Sequence, residues 1–207
     1  MPKRVDHAER RTEIAEALVR VAGRNGLHAV GMRDVAAEAG VSLRLVQYYF
    51  QTKEKLLLFG LEILAERFGE RVSARVRAAG NSPGPRAMVE ALLMAALPTD
   101  DESRTFHHLY TSYAVLAVND PVLAAQPFIK NPDAAEDALT ELLGQAQEAA
   151  LLEPGVDARL EASGLLAMSA GLGTSILVGQ RSPESATAIL DHHLNRVFRT
   201  GEASSNE

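Results

Sequence analysis

The 207-residue chain contains no cysteine. That excludes a disulfide framework, a thiolate nucleophile and any Cys-ligated zinc. No apolar run approaches the ~18 residues needed to span a bilayer, and the polar, charged residues 1–11 do not read as a secretory signal. The expectation is a soluble, cytoplasmic protein. No convincing pair of strands appears, and no repeat of ~20–50 residues. Paired carboxylates with a supporting geometry are also missing. Gly171-Leu172-Gly173 is half of a dinucleotide fingerprint, but no strand precedes it. Ala167-Met168-Ser169-Ala170-Gly171 lacks the first glycine of a nucleophile elbow. His107-His108 and His192-His193 are adjacent pairs, and helix neighbours point ~100° apart, so neither makes a clean chelate. No enzyme activity, cofactor or metal is expected.

What remains is an ordinary globular composition, 46 % hydrophobic and 23 % charged, with a net charge of −6. The length allows one or two domains. The charge is unevenly spread. Residues 1–55 hold ten Lys+Arg and seven Asp+Glu, a balance of +3, which leaves −9 for the rest. A basic module on an acidic body suggests that only the first part meets a polyanion.

Helical periodicity dominates, so the fold class is all-α. Ile14, Ala17, Leu18, Val21 and Ala22 form one apolar stripe, ended by Asn25-Gly26. Two short helices follow, about 32–39 and 43–50, then a long one from after Thr52 to about 79, broken by the cluster Gly80-Asn81-Ser82-Pro83-Gly84-Pro85. Further helices are separated by Pro98-Thr99-Asp100-Asp101 and by Asp120-Pro121. Pro127 and Asn131-Pro132 make the next stretch irregular. Regular helices are then expected over about 133–152 and 157–179, the second capped by Asp157. Ser182-Pro183 marks the last helix start, with a hydroxyl at the N-cap and proline after it. The polar tail after Arg199 should fray.

The informative stretch is Val35-Ala36-Ala37-Glu38-Ala39-Gly40-Val41-Ser42-Leu43-Arg44-Leu45-Val46. A helix-turn-helix needs a small residue where two helices cross, a glycine in the tight turn and apolar residues that fix the angle. Ala36 is the small residue and Gly40 the turn glycine. Val35, Ala39, Val41 and Val46 are the apolar positions, and Ser42 can cap the second helix. On that helix Val46 and Phe50 should face inward. Arg44, Gln47 and Tyr48 then project outward with Ser42 and Leu43. Arginine can bond guanine bidentately, glutamine can bond adenine, and tyrosine hydroxyls reach phosphates. Lys53 and Lys55 sit in the first turn of the next helix, where cations oppose the macrodipole; a bound anion such as a DNA phosphate would remove the conflict.

Met32-Arg33-Asp34-Val35-Ala36, Gly40-Val41-Ser42 and Tyr48-Tyr49-Phe50-Gln51-Thr52-Lys53-Glu54-Lys55-Leu56 together resemble the DNA-binding domain of the tetracycline-repressor (TetR) family, over about residues 8–58. The remainder resembles, more weakly, the effector domain of betaine-repressor-like members. The resemblance implies a DNA-binding domain at 1–52 and a helical effector-binding and dimerisation domain at 53–207. It implies a homodimer on a palindromic operator, with base or phosphate contacts at Ser42, Leu43, Arg44, Gln47, Tyr48 and Tyr49 and a phosphate contact at Lys53. It also implies a small-molecule effector that moves the two heads apart. Gly31 departs from the threonine that many members carry, and Arg44 from a small residue.

The second half offers two further surfaces. Gly164, Ala167, Gly171, Thr174 and Val178 make one small-residue stripe. Ala186, Ile189, Leu190, His193, Leu194 and Val197 make another on the last helix. Glycine inside a helix costs ~1 kcal/mol relative to alanine, so close approach of another backbone is expected there. With the family in mind, Gly164, Ala167, Gly171, Thr174, Val178, Ile189, Leu190, His193 and Val197 are expected in a dimer interface; internal packing is the competing account. Phe106, Leu109, Tyr110 and Tyr113 share a face. A buried tyrosine hydroxyl needs a partner, which is either a ligand or a backbone carbonyl. Met88, Phe106, Tyr110, Tyr113 and Met168 are therefore the expected effector set, with Met94 as a further adaptable lining or core filler. The leading expectation is a repressor released by a mostly apolar small molecule. A regulator controlled by a protein partner, and an enzyme or binding protein with a vestigial helix-turn-helix, are the alternatives. Outward Arg44, Gln47 and Lys53 argue against the last.

Overall fold

The computed structural model describes residues 7–125 and 133–199. Their regular structure is helical, with one isolated antiparallel bridge. The chain divides into two compact units, one of Met1–Gly69 with His108–Lys130 and the other of Glu70–His107 with Asn131–Glu207. The irregular stretch expected at Pro127, Asn131 and Pro132, and the tail after Arg199, lie outside the described residues.

In the first unit α1 (His7–Asn25) ends at Gly26, whose φ of 79° suits a residue without Cβ. Its buried face is wider than the stripe in the sequence, because Ala15 and Val19 join it. A 3₁₀ turn at Leu27–Ala29 leads to α2 (Met32–Glu38) and α3 (Leu43–Phe50), and then to the long α4 (Lys53–Ala78). Later in the chain come α6 (Asp101–Ala117) and the short α7 (Pro121–Ala124); the Asp120 carboxylate caps α7 by accepting from the Val122 and Leu123 amides. Gly60 of α4 permits a close approach. A Cβ there would lie 2.5 Å from Leu18 Cδ2 and 3.2 Å from the Tyr113 hydroxyl.

The second unit holds the end of α4, α5 (Pro85–Ala96), the start of α6, α8 (Asp133–Glu148), α9 (Ala158–Leu177) and α10 (Pro183–Val197). Leu93, Leu97, Leu139, Leu143, Leu165, Leu190 and Leu194 lie in its core. Asp157 and Ser182 cap α9 and α10 as their sequence positions suggest. Arg71 is held by Asp100 at 3.0 Å and Glu102 at 3.6 Å, and this keeps the Asp100 carboxyl down at about 2.

Two expectations need correction. The helix expected to reach Leu152 stops at Glu148. Ala150 takes a left-handed φ of 56°, and the Leu151 amide donates back to Ala146 at 2.8 Å, a Schellman closure. Leu152 instead pairs with Phe198 in the bridge, where Glu153 and Arg199 amides donate to Val197 and Leu151 carbonyls. Second, α9 is twenty residues long and holds an 18-residue stretch with a mean hydropathy of 1.3, long and apolar enough to cross a membrane. Its glycines, alanines and hydroxyls disguised that in the sequence. Ala162, Leu165, Leu172 and Ile176 on one side are buried in the second unit, while the opposite side is open.

Candidate nucleic-acid interface

The turn between α2 and α3 has the hydrogen bonds that a fixed angle needs. The Val41 amide donates to Ala36 at 2.9 Å, and Gly40 sits at φ 65°. Val35 and Ala36 are buried at the crossing. Ser42 caps α3, its hydroxyl accepting from the Leu45 amide at 3.2 Å. Gly31 caps α2, and its amide donates to Asp34 Oδ2 at 3.0 Å. The bond from the N-cap amide to Asp34 is thus present, while glycine offers no side-chain oxygen to the first-turn amides.

Burial sorts α3 into two faces. Val46 and Phe50 are fully inside. Ser42, Arg44, Gln47 and Tyr48 are exposed, and Leu43 and Tyr49 are half-buried. Tyr48 stands out with 66 % of its surface exposed. It meets the Tyr49 ring edge-on at 5.2 Å, and Tyr49 in turn meets His7 of α1, with 3.0 Å between Nδ1 and the hydroxyl. That last contact has no signal in the sequence, because the two residues are far apart along the chain.

The cations of the first unit divide by partner. Arg20 (2.8 Å) and Arg24 both bond the Glu38 carboxylate and hold it below the ordinary carboxylate value. They tie α1 to α2. Arg10 pairs with Glu13 at 2.6 Å. The Arg11 guanidinium lies 4.5 Å from the Phe59 ring centre and 5.6 Å from that of Phe50. Arg33 and Arg44 are exposed and make no ion pair among the described residues. Lys53 is half-buried at the start of α4. Glu54 and Thr52 already serve that helix start. The Glu54 carboxyl is held below its ordinary value first by its own backbone amide and then by Thr52, and Thr52 Oγ1 accepts from the Lys55 amide at 3.3 Å. A phosphate near Lys53 would share these amides with them.

Two family models match the chain. Residues 14–58 match the model of bacterial regulatory proteins of the tetR family, and residues 85–199 match the carboxy-terminal domain of BetI-type transcriptional repressors. The chain belongs to the TetR family. It is a DNA-binding transcriptional regulator with a BetI-type second half. It is similar to the HTH-type transcriptional regulator PksA of Bacillus subtilis, 29 % identical over 83 % of this chain and 80 % of that one. It is also similar to the regulator BetI of Rhizobium meliloti, 35 % identical over 48 % of each chain. In fold it matches a transcriptional regulator from Saccharomonospora viridis in complex with choline, at a TM-score of 0.78 and 22 % identity, over 92 % of this chain and 98 % of that one.

For this TetR-family chain the other expected surfaces fall as follows. Gly164, Ala167, Gly171, Thr174 and Val178 are all exposed along one side of α9, and Leu160 extends the row with 73 % exposure. The α10 stripe is different. Leu190 (0 % exposed) and Val197 (4 %) lie in the core of their own chain, so they are corrected out of the interface. A stripe at helical spacing shows that a face is covered, not what covers it. Ile189 packs against the same core, and His193 Nε2 lies 2.7 Å from Glu161 Oε1.

The expected effector set is divided. Met88, Phe106 and Met168 belong to the second unit, and Tyr110 and Tyr113 to the first. Met94 is buried in the second core, its sulfur 3.9 Å from Thr187 Oγ1. The partner of the Tyr113 hydroxyl is a backbone carbonyl, that of Leu57 at 2.7 Å. Burial raises the pKa of both tyrosines. His107, which the sequence offers only as half of a discounted metal pair, has contacts that no short window signals. It is buried, with Nδ1 3.2 Å from the Ala96 carbonyl and Nε2 3.4 Å from Thr174 Oγ1, and Gly173 makes room for its ring.

Proposed function

We propose that the protein is a homodimeric repressor that holds a palindromic operator through two copies of α3. The outward face of α3 carries this reading. Arg44, Gln47 and Tyr48 are exposed on a helix whose angle is fixed by the Gly40 turn and whose inner face is closed by Val46 and Phe50. Arg44 and Gln47 suit base edges; Ser42, Tyr48, Tyr49 and Lys53 suit phosphates, and Leu43 suits an apolar contact. The open row on α9 supports the dimer, with a second copy of α9 as its cover. The test is to select duplexes from a random-sequence pool with the full chain. Palindromic winners bound by a dimer, with steep loss of affinity as salt rises, support the reading. Non-palindromic winners or binding by one chain overturn it.

Release by a small molecule is the finer part. Met88 and Met168 pack beside the second core as adaptable apolar side chains, and Phe106 is buried in the same unit. A fold neighbour holds choline, so choline is the first probe for loss of DNA binding. A hundredfold release needs about 2.7 kcal/mol of preference for the DNA-incompetent state. One observation favours control by a protein partner instead: the Tyr113 hydroxyl is spent on Leu57, so it cannot orient an effector without breaking that bond.

A further inference from the structure

This inference deepens the reading of Tyr49 as a phosphate contact and rests on it. His7 opens α1, and its ring centre lies 5.9 Å from that of Tyr49, tilted 58°. Its Nδ1 is 3.0 Å from the Tyr49 hydroxyl. With Tyr48 edge-on to Tyr49, three rings run from the start of α1 to the outward face of α3. The contact bridges 42 positions of sequence.

The chemistry of the partners fixes the direction of the bonds. A phosphodiester only accepts hydrogen bonds, and a phenol has one proton to give. If Nδ1 is bare, Tyr49 donates to His7 and turns lone pairs towards any phosphate beside it. If Nδ1 carries a proton, His7 donates to the phenol oxygen and the phenolic proton is left for the phosphate. We propose that His7 is a positioning residue for DNA binding: its Nδ1–H donates to Tyr49, and Tyr49 donates its proton to a backbone phosphate. Which ring nitrogen is protonated is then set by DNA, because only one arrangement satisfies all three groups. The contribution is independent of base sequence, since phosphates carry none.

The test uses the full chain with two duplexes, one selected by the parent protein and one of scrambled sequence. Tyr49→Phe should weaken both duplexes by similar factors, about tenfold for a charge-assisted bond, and His7→Phe should weaken both alike by a smaller factor. His7→Phe keeps a ring against Tyr49 and removes only the bond. The double variant should be no weaker than Tyr49→Phe alone. His7→Asn, which can place an amide N–H near the Nδ1 position, should recover most of the loss. In nitrogen-15 spectra of labelled histidine, the His7 resonance, assigned by its absence in His7→Asn, should show a protonated Nδ1 in the DNA complex. If Tyr49→Phe weakens binding while His7→Phe does not, or if Nδ1 is bare in the complex, the role of His7 is overturned and the Tyr49 contact stands. If Tyr49→Phe leaves both affinities unchanged, the phosphate reading of Tyr49 falls and this proposal falls with it. His7 is exposed, and matching thermal midpoints would show that the variants fold.

Discussion

Helices α3 and α9 each bury one face and leave the other open, yet the open faces have opposite chemistry. On α3 the exposed side chains are Ser42, Arg44, Gln47 and Tyr48, each able to make hydrogen bonds. Along the open side of α9 and its C-cap they are Leu160, Gly164, Ala167, Gly171, Thr174 and Val178, which apart from one hydroxyl are apolar or lack a side chain, while the exposed Arg159 at the helix start is drawn to Glu136 and Asp137. Water solvates the first face well and the second poorly. The first suits a charged, hydrogen-bonding surface such as a duplex, and the second suits another backbone at close range. Periodicity alone marks both as half-covered helices. The residue types on the uncovered half separate them.

The largest effect should come from blocking the α9 face. Nothing lies within 4 Å of a Cβ placed at Gly171, so a larger side chain there leaves the single chain undisturbed. Across a two-fold contact Gly171→Leu would overpack both copies, at ~1–3 kcal/mol each. Sedimentation should show monomers where the parent is dimeric, and affinity for a palindromic duplex should fall as the second half-site is lost. An intact dimer would move Gly171 out of the interface and leave the open row unexplained.

Two residues along, Gly173 sharpens the same contrast. It is buried, and a Cβ there would lie 2.2 Å from His107 Cε1. Gly173→Ala should therefore destabilise the fold by ~1–3 kcal/mol by overpacking, less the ~1 kcal/mol that alanine gains in a helix. Gly171→Ala should be neutral or stabilising in the single chain. Thermal unfolding of both variants tests this, and adding His107→Ala to Gly173→Ala should recover part of the loss. Equal midpoints for the two glycine variants would show that the His107 ring moves aside freely.

Much of the recognition end is legible in the sequence. Gly40, Ser42, Asp157 and Ser182 announce turns and caps because their chemistry acts within three or four residues. The same locality made α3 readable: Val46 and Phe50 lie on one side of a short helix, and Arg44, Gln47 and Tyr48 must then lie on the other. What stayed hidden depends on distant partners. Ala150 carries no mark of a left-handed conformation, so the sequence around it does not show where α8 ends. Leu190 and Val197 lie in the core of their own chain, which their stripe cannot show because a stripe does not name its cover. The Gly173 cradle for His107, the Glu38 tie to Arg20 and Arg24, and the His7–Tyr49 bond join positions that no short window contains.

The α3 face can be divided further by separating base reading from phosphate holding. Arg44→Ala should cost roughly 1–3 kcal/mol per base contact on a selected duplex and relax preference at one symmetric position. Lys53→Ala should weaken selected and scrambled duplexes alike and lower the salt slope by about one for each phosphate released. Competition binding at several salt concentrations distinguishes them. Equal, sequence-independent losses from both variants would remove Arg44 from base reading.

The smallest effect is one of pH, and it lies directly beneath the α9 face. His107 reaches Thr174, a member of the open row, from inside the second unit. Burial lowers the His107 pKa, and the bond to the Ala96 carbonyl only partly opposes it. The folded chain therefore binds this proton less readily than the unfolded chain, whose histidine titrates near ~6.5. Stability from His107 is complete above that value and declines as pH falls below it, at no more than ~1.4 kcal/mol per pH unit. The Asp100 carboxyl, held at about 2, stays ionised throughout that range and cannot produce the trend. Denaturant midpoints taken between about pH 8 and 5 should therefore fall on the acid side in the parent and fall less in His107→Gln, whose amide can still donate to Ala96. The same slope in both proteins would place the titrating group elsewhere and leave the α9 face insensitive to the histidine behind it.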